Sequence, residues 1–225
     1  MSARNSTGPR ALRRNVSGVA MVEFALALPF VVLVSMTAAE LTNFTTTKMR
    51  VSQLALQIAD NASRIGTGTV LSNKTISEAQ INDLLTGANL QAGKLGLFTN
   101  GRVILSSLQP GASANRYVVK WQRCKGAKNF TSAQYFAAGA TERDSDPASA
   151  ANPYKVTPPS DGAVMFVEIS YTYQPLIGTN FQPFSEIRET AAMTVRDNRD
   201  YAGGTNGIYN SEGAPVASCS TYSAS

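Results

Sequence analysis

One long apolar run near the N terminus constrains the fold of this chain more than any other feature. Residues 19–41 contain no charged residue apart from Glu23 near the start and Glu40 near the end. As an α-helix this run would be about 33 Å long, which is enough for one crossing of a bilayer. Its centre, residues 24–39, is apolar on all sides rather than along one stripe. The sequence therefore predicts a single transmembrane helix, and a buried helix of a soluble protein is the alternative.

The distribution of charge predicts how this helix is oriented. The formal net charge of the chain is +5, and arginines before residue 23 supply most of it: Arg4, Arg10, Arg13 and Arg14. Short flanking segments rich in arginine stay in the cytoplasm. We therefore expect residues 1–18 to form a basic cytoplasmic leader and residues 42–225 to form an exported domain.

An ordinary secretory signal is the rival interpretation of this segment. Thr37 and Ala39 loosely match the small-x-small rule, so signal peptidase would cut after Ala39. Glu23 argues against a secretory signal, which has no use for a carboxylate that costs up to about 3 kcal/mol at the bilayer centre. Near the membrane surface that cost is smaller, and Glu23 could simply extend to the headgroups.

The spacing around Glu23 supports a sharper interpretation. In S-G-V-A-M-V-E-F-A-L-A-L-P, Gly18 stands directly before the apolar run and Glu23 is the fifth residue after it. This pattern resembles the class III signal of type IV pilins, in which a prepilin peptidase cuts after the glycine and leaves the apolar segment as membrane anchor. The resemblance implies cleavage between Gly18 and Val19. It also implies that Glu23 pairs with the new amine of a neighbouring subunit during assembly.

Later segments of the chain narrow the resemblance from type IV pilins in general to one family of pilin-like proteins. Together with the N-terminal motif, W-Q-R-C, V-E-I-S-Y-T-Y-Q-P-L and T-A-A-M-T-V-R-D-N-R resemble the TadE-like proteins, which are minor pilin-like components of Tad (Flp) pilus systems. The sequence departs at Phe24, where small Flp pilins usually have Tyr, and at Val19, which is not the Phe that starts many type IVa pilins. The resemblance implies a pseudopilin of the bacterial inner membrane with a periplasmic domain. Its implied partners are a prepilin peptidase and other pilin-like or Tad secretion-system proteins.

The pattern beyond the membrane segment predicts that the helix continues outward. Apolar residues recur at spacings of three, four and seven, which places them on one helical face: Phe44, Val51, Leu54, Ile58, Ala62 and Ile65. Gly66 and Gly68 are expected to end this helix. Thr75 and Glu78 have the spacing of a capping box, which predicts a second, short helix that ends at Gly87.

Alternating apolar residues predict an antiparallel sheet. Strands are expected over residues 102–108, 116–124, 163–173 and 190–195. In the second strand, Tyr117, Val119 and Trp121 are expected to share one face, and the third strand is expected to be central. The fold class is therefore α+β, with an N-terminal transmembrane helix extended into an amphipathic helix that packs on the sheet, as in pilin-like folds.

Two segments and two cysteines complete the predicted domain. Residues 125–161 are expected to form a long surface loop, which either varies freely or recognises a partner. Cys124 and Cys219 allow one disulfide, which would pin the Gly- and Ser-rich tail, residues 201–225, onto the sheet of an exported protein. Two reduced, unrelated thiols are the alternative, and two cysteines without histidine lack the ligands for a closed zinc site.

The residue types that are missing argue against catalysis. The chain has no histidine, which removes the commonest general base and every Ser–His or Cys–His nucleophile arrangement. Asp197, Asn198 and Asp200 form only a fragment of a calcium loop, and no phosphate-binding loop motif occurs. Outside the leader the chain is close to neutral, which does not favour nucleic-acid binding. We expect no enzyme, no cofactor and no metal.

Three classes of function remain open from the sequence. The first is a minor pilin-like component of Tad/Flp pilus assembly, which is processed by a prepilin peptidase and contacts pilus or secretion-channel subunits. The second is a single-pass, membrane-anchored interaction domain of another envelope system, and the third is a secreted or enzymatic protein. Their mature N termini differ: Val19 for the first, an intact N terminus for the second and Glu40 for the third.

Overall fold

A single long helix dominates the architecture. The computed structural model describes residues 17–69, 71–131, 139, 141–145, 154, 156–178 and 185–224. Helix α1, Ser17–Arg64, is 48 residues long and contains Pro29 in its apolar half. The predicted membrane segment and its predicted outward continuation are therefore one helix. Residues 1–16, which include all four leader arginines, lie outside the described residues.

The two halves of α1 have different surroundings. Up to Ala39 the described side chains are exposed, and none of the most apolar window is buried. The outer half presents the predicted stripe to the domain, where it packs on two strands and a second helix: buried members include Val51, Leu54, Ala55, Ile58, Ala59 and Ala62. By length and composition α1 is a candidate membrane anchor.

The second helix, α2, begins and ends later than the sequence predicts. It spans Glu78–Ala92, and Ser77 rather than Thr75 is its N-cap: the Ser77 hydroxyl accepts from the Gln80 N–H at 3.3 Å, while the Gln80 side chain accepts from the Ser77 N–H at 3.1 Å. The predicted capping box is wrong because strand β1, Ile76–Ser77, holds the chain extended against β7, Ile208–Tyr209.

The predicted end of α2 at Gly87 is also wrong. Its buried face continues past this residue through Ala88 and Ala92, and a single interior glycine costs only about 1 kcal/mol. The helix ends at Gly93, whose φ of 53° suits glycine. A 3₁₀ turn, Gly93–Leu95, and the short helix α3, Leu97–Asn100, then lead into the sheet.

The main sheet has five antiparallel strands in the order β4-β3-β2-β5-β6. Their bounds are Gly101–Pro110 for β2, Arg116–Lys125 for β3, Arg143–Asp144 for β4, Val164–Thr172 for β5 and Glu186–Thr194 for β6. All four predicted strands are present; β5, which was expected to be central, is an interior strand beside β2, which occupies the middle of the five. The last strand begins four residues before the predicted start at residue 190. This arrangement is the predicted mixture of helix and antiparallel sheet.

A β-bulge separates residues that the sequence placed on one face. Ser107 pairs with Trp121 but Leu108 pairs with Val119, so Lys120 is an extra residue in β3. Trp121 therefore packs toward α1, whereas Tyr117 and Val119 pack on the opposite face. The predicted shared face is wrong because one inserted residue reverses the side-chain alternation.

The face of the sheet opposite α1 is also covered. A second apolar cluster forms there: Leu108, Tyr117, Val119, Val156, Val164 and Phe166. Val156 and Ser145 belong to the predicted surface loop, yet both are buried, and β4 of the same segment pairs with β3. Within the described residues this segment is thus partly built into the fold. Residues 132–138, 140, 146–153 and 155 of the predicted loop lie outside the described residues.

Candidate functional site

The predicted processing residues lie at the very start of α1. The described part of α1 begins at Ser17, and the peptide bond between Gly18 and Val19 lies within it in helical conformation. Among the described residues, a Cβ atom added to Gly18 would meet no atom within 4 Å apart from its chain neighbours and the backbone of its own helix. Packing against this part of the chain therefore gives no reason for glycine at position 18.

Val19 and Glu23 lie four residues apart, on the same face of α1. Both side chains are exposed, and Glu23 makes no hydrogen bond or ion pair with any described residue. One helical turn separates the two residues. If the chain is cut between Gly18 and Val19, as the sequence pattern predicts, the new amine of Val19 lies one turn from the Glu23 carboxylate and can pair with it or with the same group on a neighbouring helix.

Glu40, at the other end of the apolar segment, joins α1 to the domain. One carboxylate oxygen accepts from the Tyr173 hydroxyl at 2.6 Å, and the other accepts from the N–H groups of Leu176 and Ile177 at 3.0 and 3.2 Å. Asn43, one turn further along, donates to the Tyr173 hydroxyl at 2.7 Å. Burial, with the hydrogen bond to Glu40, raises the pKa of Tyr173 to about 12. We name these contacts the Glu40 clasp.

The Arg199 side chain caps the C-terminal end of α1 by hydrogen bonding to carbonyl oxygens there. Its guanidinium is buried and donates to the carbonyl oxygens of Ser63 at 3.1 Å and Ile65 at 2.8 Å. The last carbonyls of a helix lack intrahelical partners, and a cation there also interacts favourably with the helix dipole. Burial lowers the pKa of Arg199 from its usual value.

The C-terminal tail is fastened to the sheet by a disulfide between Cys124 and Cys219, whose Cα atoms lie 4.7 Å apart. Backbone bonds extend the attachment along the free edge of β3: the Cys124 N–H donates to the Ala217 carbonyl, and the Gly126 N–H donates to the Ser223 carbonyl. The bridge allowed by the sequence is thus present, and it protects an edge that would otherwise expose unpaired backbone groups.

A buried arginine holds the same tail and was not singled out from the sequence. Arg102 is fully buried and donates to the carbonyl oxygens of Gly126, Cys219 and Thr221 at 3.1, 2.7 and 2.8 Å. Its guanidinium also stacks on the Tyr222 ring at 4.0 Å. Burial lowers the pKa of Arg102, and Tyr222 opposes that shift. An arginine at the start of a predicted strand carries no signal of this arrangement, because its carbonyl partners are distant in sequence.

The fragment of a calcium loop has structural partners. Asp197 forms an ion pair with Lys74 at 2.8 Å. Asp200 accepts from the N–H groups of Ala202 and Gly203 and from the Tyr209 hydroxyl. Among the residues that the structure describes, no group of three or more His, Cys, Asp or Glu side chains is placed to hold a metal ion.

Comparisons of the chain with protein-family models, curated proteins and solved structures found no match. The fold and the site define a class on their own: a mixed α and β domain on a long apolar N-terminal helix that is a candidate membrane anchor.

Proposed function

We propose that this protein is a pilin-like (pseudopilin) component of a Tad/Flp-type pilus assembly system. Residues 19–41 anchor it in the bacterial inner membrane, with the leader in the cytoplasm and the domain in the periplasm. The carrying observation is the continuity of α1 from Gly18 to the core of the domain. Cleavage after Gly18 would therefore leave anchor and domain as one unit.

Gly18 and Glu23 support the proposal because neither is explained by the isolated chain. No described residue packs against the Cβ position of Gly18, and glycine in a helix interior costs about 1 kcal/mol relative to alanine. Glu23 has no partner among the described residues, and a carboxylate that stays within an apolar segment instead of extending to the headgroups needs one. A peptidase that requires glycine and a neighbouring subunit that supplies an amine would account for both residues.

The exposure of the apolar half of α1 supports a role in membrane anchoring and in contacts with other proteins. Large apolar side chains are exposed all around this half of the helix, among them Met21, Phe24, Leu26, Phe30, Val31 and Val34. A surface of this size requires lipid or other helices around it. The domain adds a disulfide, which suits an oxidising compartment such as the periplasm.

A matched pair of glycine variants tests the proposal. Gly87 is also helical and its Cβ would also meet open space, so Gly87→Glu controls for the added charge of Gly18→Glu. In cells that contain the prepilin peptidase, wild type and Gly87→Glu are expected to migrate as the shorter form on immunoblots of membranes. Gly18→Glu is expected to migrate as the longer, uncut form and to reduce piliation. Identical mobility of all three proteins, with and without the peptidase, would overturn the proposal.

One observation favours a second candidate function. The Gly18–Val19 bond is helical here, so the helix around this bond must unwind before a peptidase can cut it. If it does not, the same anchor and domain form an uncut interaction module of another envelope system. That module would keep its leader in membranes regardless of the peptidase.

A further inference from the structure

The loop that follows β5 reaches the level at which α1 leaves the membrane. Val19 to Glu40 spans about 32 Å of helix, close to the hydrocarbon thickness of about 30 Å. Glu40 therefore lies at the outer surface of the bilayer when the apolar segment spans it. The clasp fixes residues 173–177 at this level.

The loop descends toward the membrane as it runs. The Tyr173 hydroxyl contacts both Asn43 and Glu40, so it marks no direction. Along the backbone, the Gln174 carbonyl accepts from Asn43 at 3.4 Å, and two residues later the Leu176 N–H donates to Glu40 at 3.0 Å. The partner of the loop backbone on α1 thus shifts by three residues, from Asn43 to Glu40, toward the apolar half. Helical side chains also lean toward the N terminus, so the Glu40 carboxylate lies on the membrane side of its own Cα atom.

The chemistry of the loop suits the boundary between headgroups and acyl chains. Residues 175–177 are Pro, Leu and Ile without a charge, and Leu176 is 65% exposed. The N–H groups of Leu176 and Ile177 are already bonded to Glu40, and Pro175 has none to satisfy. The loop can therefore enter an apolar layer without leaving these donors unpaired.

We infer that residues 175–177 form a second membrane contact, in which Leu176 inserts at the interface of the leaflet from which α1 emerges. The partner is the lipid bilayer itself. The contact sets the tilt and rotation of the domain relative to the bilayer. A helix alone can still tilt and turn about its axis, whereas a second contact point restricts both movements. This inference rests on the anchoring role proposed for residues 19–41, and it applies while α1 is in the bilayer.

Single-cysteine labelling of the full chain tests this contact. Both native cysteines are joined to each other, so Leu176→Cys adds a single free thiol. A fluorophore on that thiol is compared in vesicles of phosphatidylethanolamine and phosphatidylglycerol that contain lipids with a quencher near the headgroup. The matched control is Leu90→Cys on α2, another exposed leucine. Its neighbour Gln91 lines the same surface groove as Gln53 and Gln57 of α1, which lie about 20 to 26 Å of helix beyond Glu40.

Val32→Cys, in the centre of the apolar segment, distinguishes failure of the loop contact from failure of the membrane anchor. We expect several-fold stronger quenching at position 176 than at position 90, and strong quenching at position 32 by quenchers deep in the acyl chains. Equal quenching at 176 and 90, with position 32 still quenched, would overturn the loop contact and leave the anchor intact. No quenching at 32 would overturn the anchor and the loop contact together.

Discussion

At the scale of single residues, three arginines place guanidinium groups inside or at the margin of the domain core. Arg102 and Arg199 donate to backbone carbonyls, and Arg123 pairs with Glu78. A guanidinium stays charged at any physiological pH, so burial requires acceptors for most of its donors. The terminal nitrogens of Arg102 and Arg199 have such acceptors, whereas the Nε atom of each is buried without a partner among the described residues. Each arginine joins segments that are distant in sequence, which is why composition and periodicity did not reveal them.

Removal of one partner from the Glu78–Arg123 pair is expected to destabilise the domain strongly. Arg123→Met leaves the Glu78 carboxylate buried and unpaired, which costs about 3–5 kcal/mol of unfolding free energy. Urea unfolding of the detergent-solubilised protein, followed by the fluorescence of Trp121, measures this loss. Arg64→Met is the control, because its pair with Asp60 is largely exposed and contributes about 0.3–0.5 kcal/mol. Equal losses for the two variants would contradict the assigned burial.

The Glu40 clasp is expected to make stability sensitive to alkali. The pKa of Tyr173 is raised from 10.0 to about 12 in the folded protein, so the neutral phenol is the form that folding favours. The contribution is complete below pH 10 and is lost as pH rises toward 12. Unfolding free energy measured from pH 8 to 12 should therefore fall more steeply for wild type than for Tyr173→Phe. Parallel profiles would show that Tyr173 does not titrate with folding.

At the scale of elements, local signals predicted which segments form helices and strands, while tertiary pairing determined their details. The apolar run, the spaced stripe after residue 43 and the alternation in β5 each follow from periodicity alone. The bulge at Lys120 does not, because nothing in the local sequence distinguishes the extra residue. The predicted cap of α2 lies two residues too early because the parallel pairing of β1 with β7 brings together segments 132 residues apart in the chain.

The position of that cap gives a direct test. Ser77→Ala removes the acceptor for the first turn of α2 and is expected to cost about 1 kcal/mol of unfolding free energy. Thr75→Ala serves as the control, since the Thr75 hydroxyl only donates to the Thr67 carbonyl at 3.3 Å on the surface. The midpoint of urea unfolding should fall for the first variant and change little for the second. The reverse order would restore Thr75 as the cap.

At the scale of the whole molecule, α1 is a rod about 72 Å long that is held by the domain along its outer half. The Glu40 clasp fixes the end of this contact that lies next to the apolar half of α1, and Arg199 fixes the end at the C terminus of α1. The candidate processing residues lie beyond the clasp, at the exposed end of the rod. Sequence reasoning located those residues from one motif, but the clasp depends on contacts across more than 130 residues and needed the structure.

The disulfide is expected to stabilise the molecule as a whole. It closes a separation of 95 residues, and loss of a native bridge typically costs about 2–5 kcal/mol. The double variant Cys124→Ser, Cys219→Ser should unfold at lower urea and lose its tail to limited proteolysis first. Wild type kept in reductant is the matched control and should behave in the same way. Unchanged proteolysis would show that Arg102 and the edge pairing hold the tail without the bridge.

The most direct test of processing is the N-terminal sequence of the mature protein, purified from membranes of cells that contain the prepilin peptidase. We expect a start at Val19 with α1 retained, and a start at Met1 or Ser2 when the peptidase is absent. A start at Glu40, or an uncut N terminus in both strains, would contradict it.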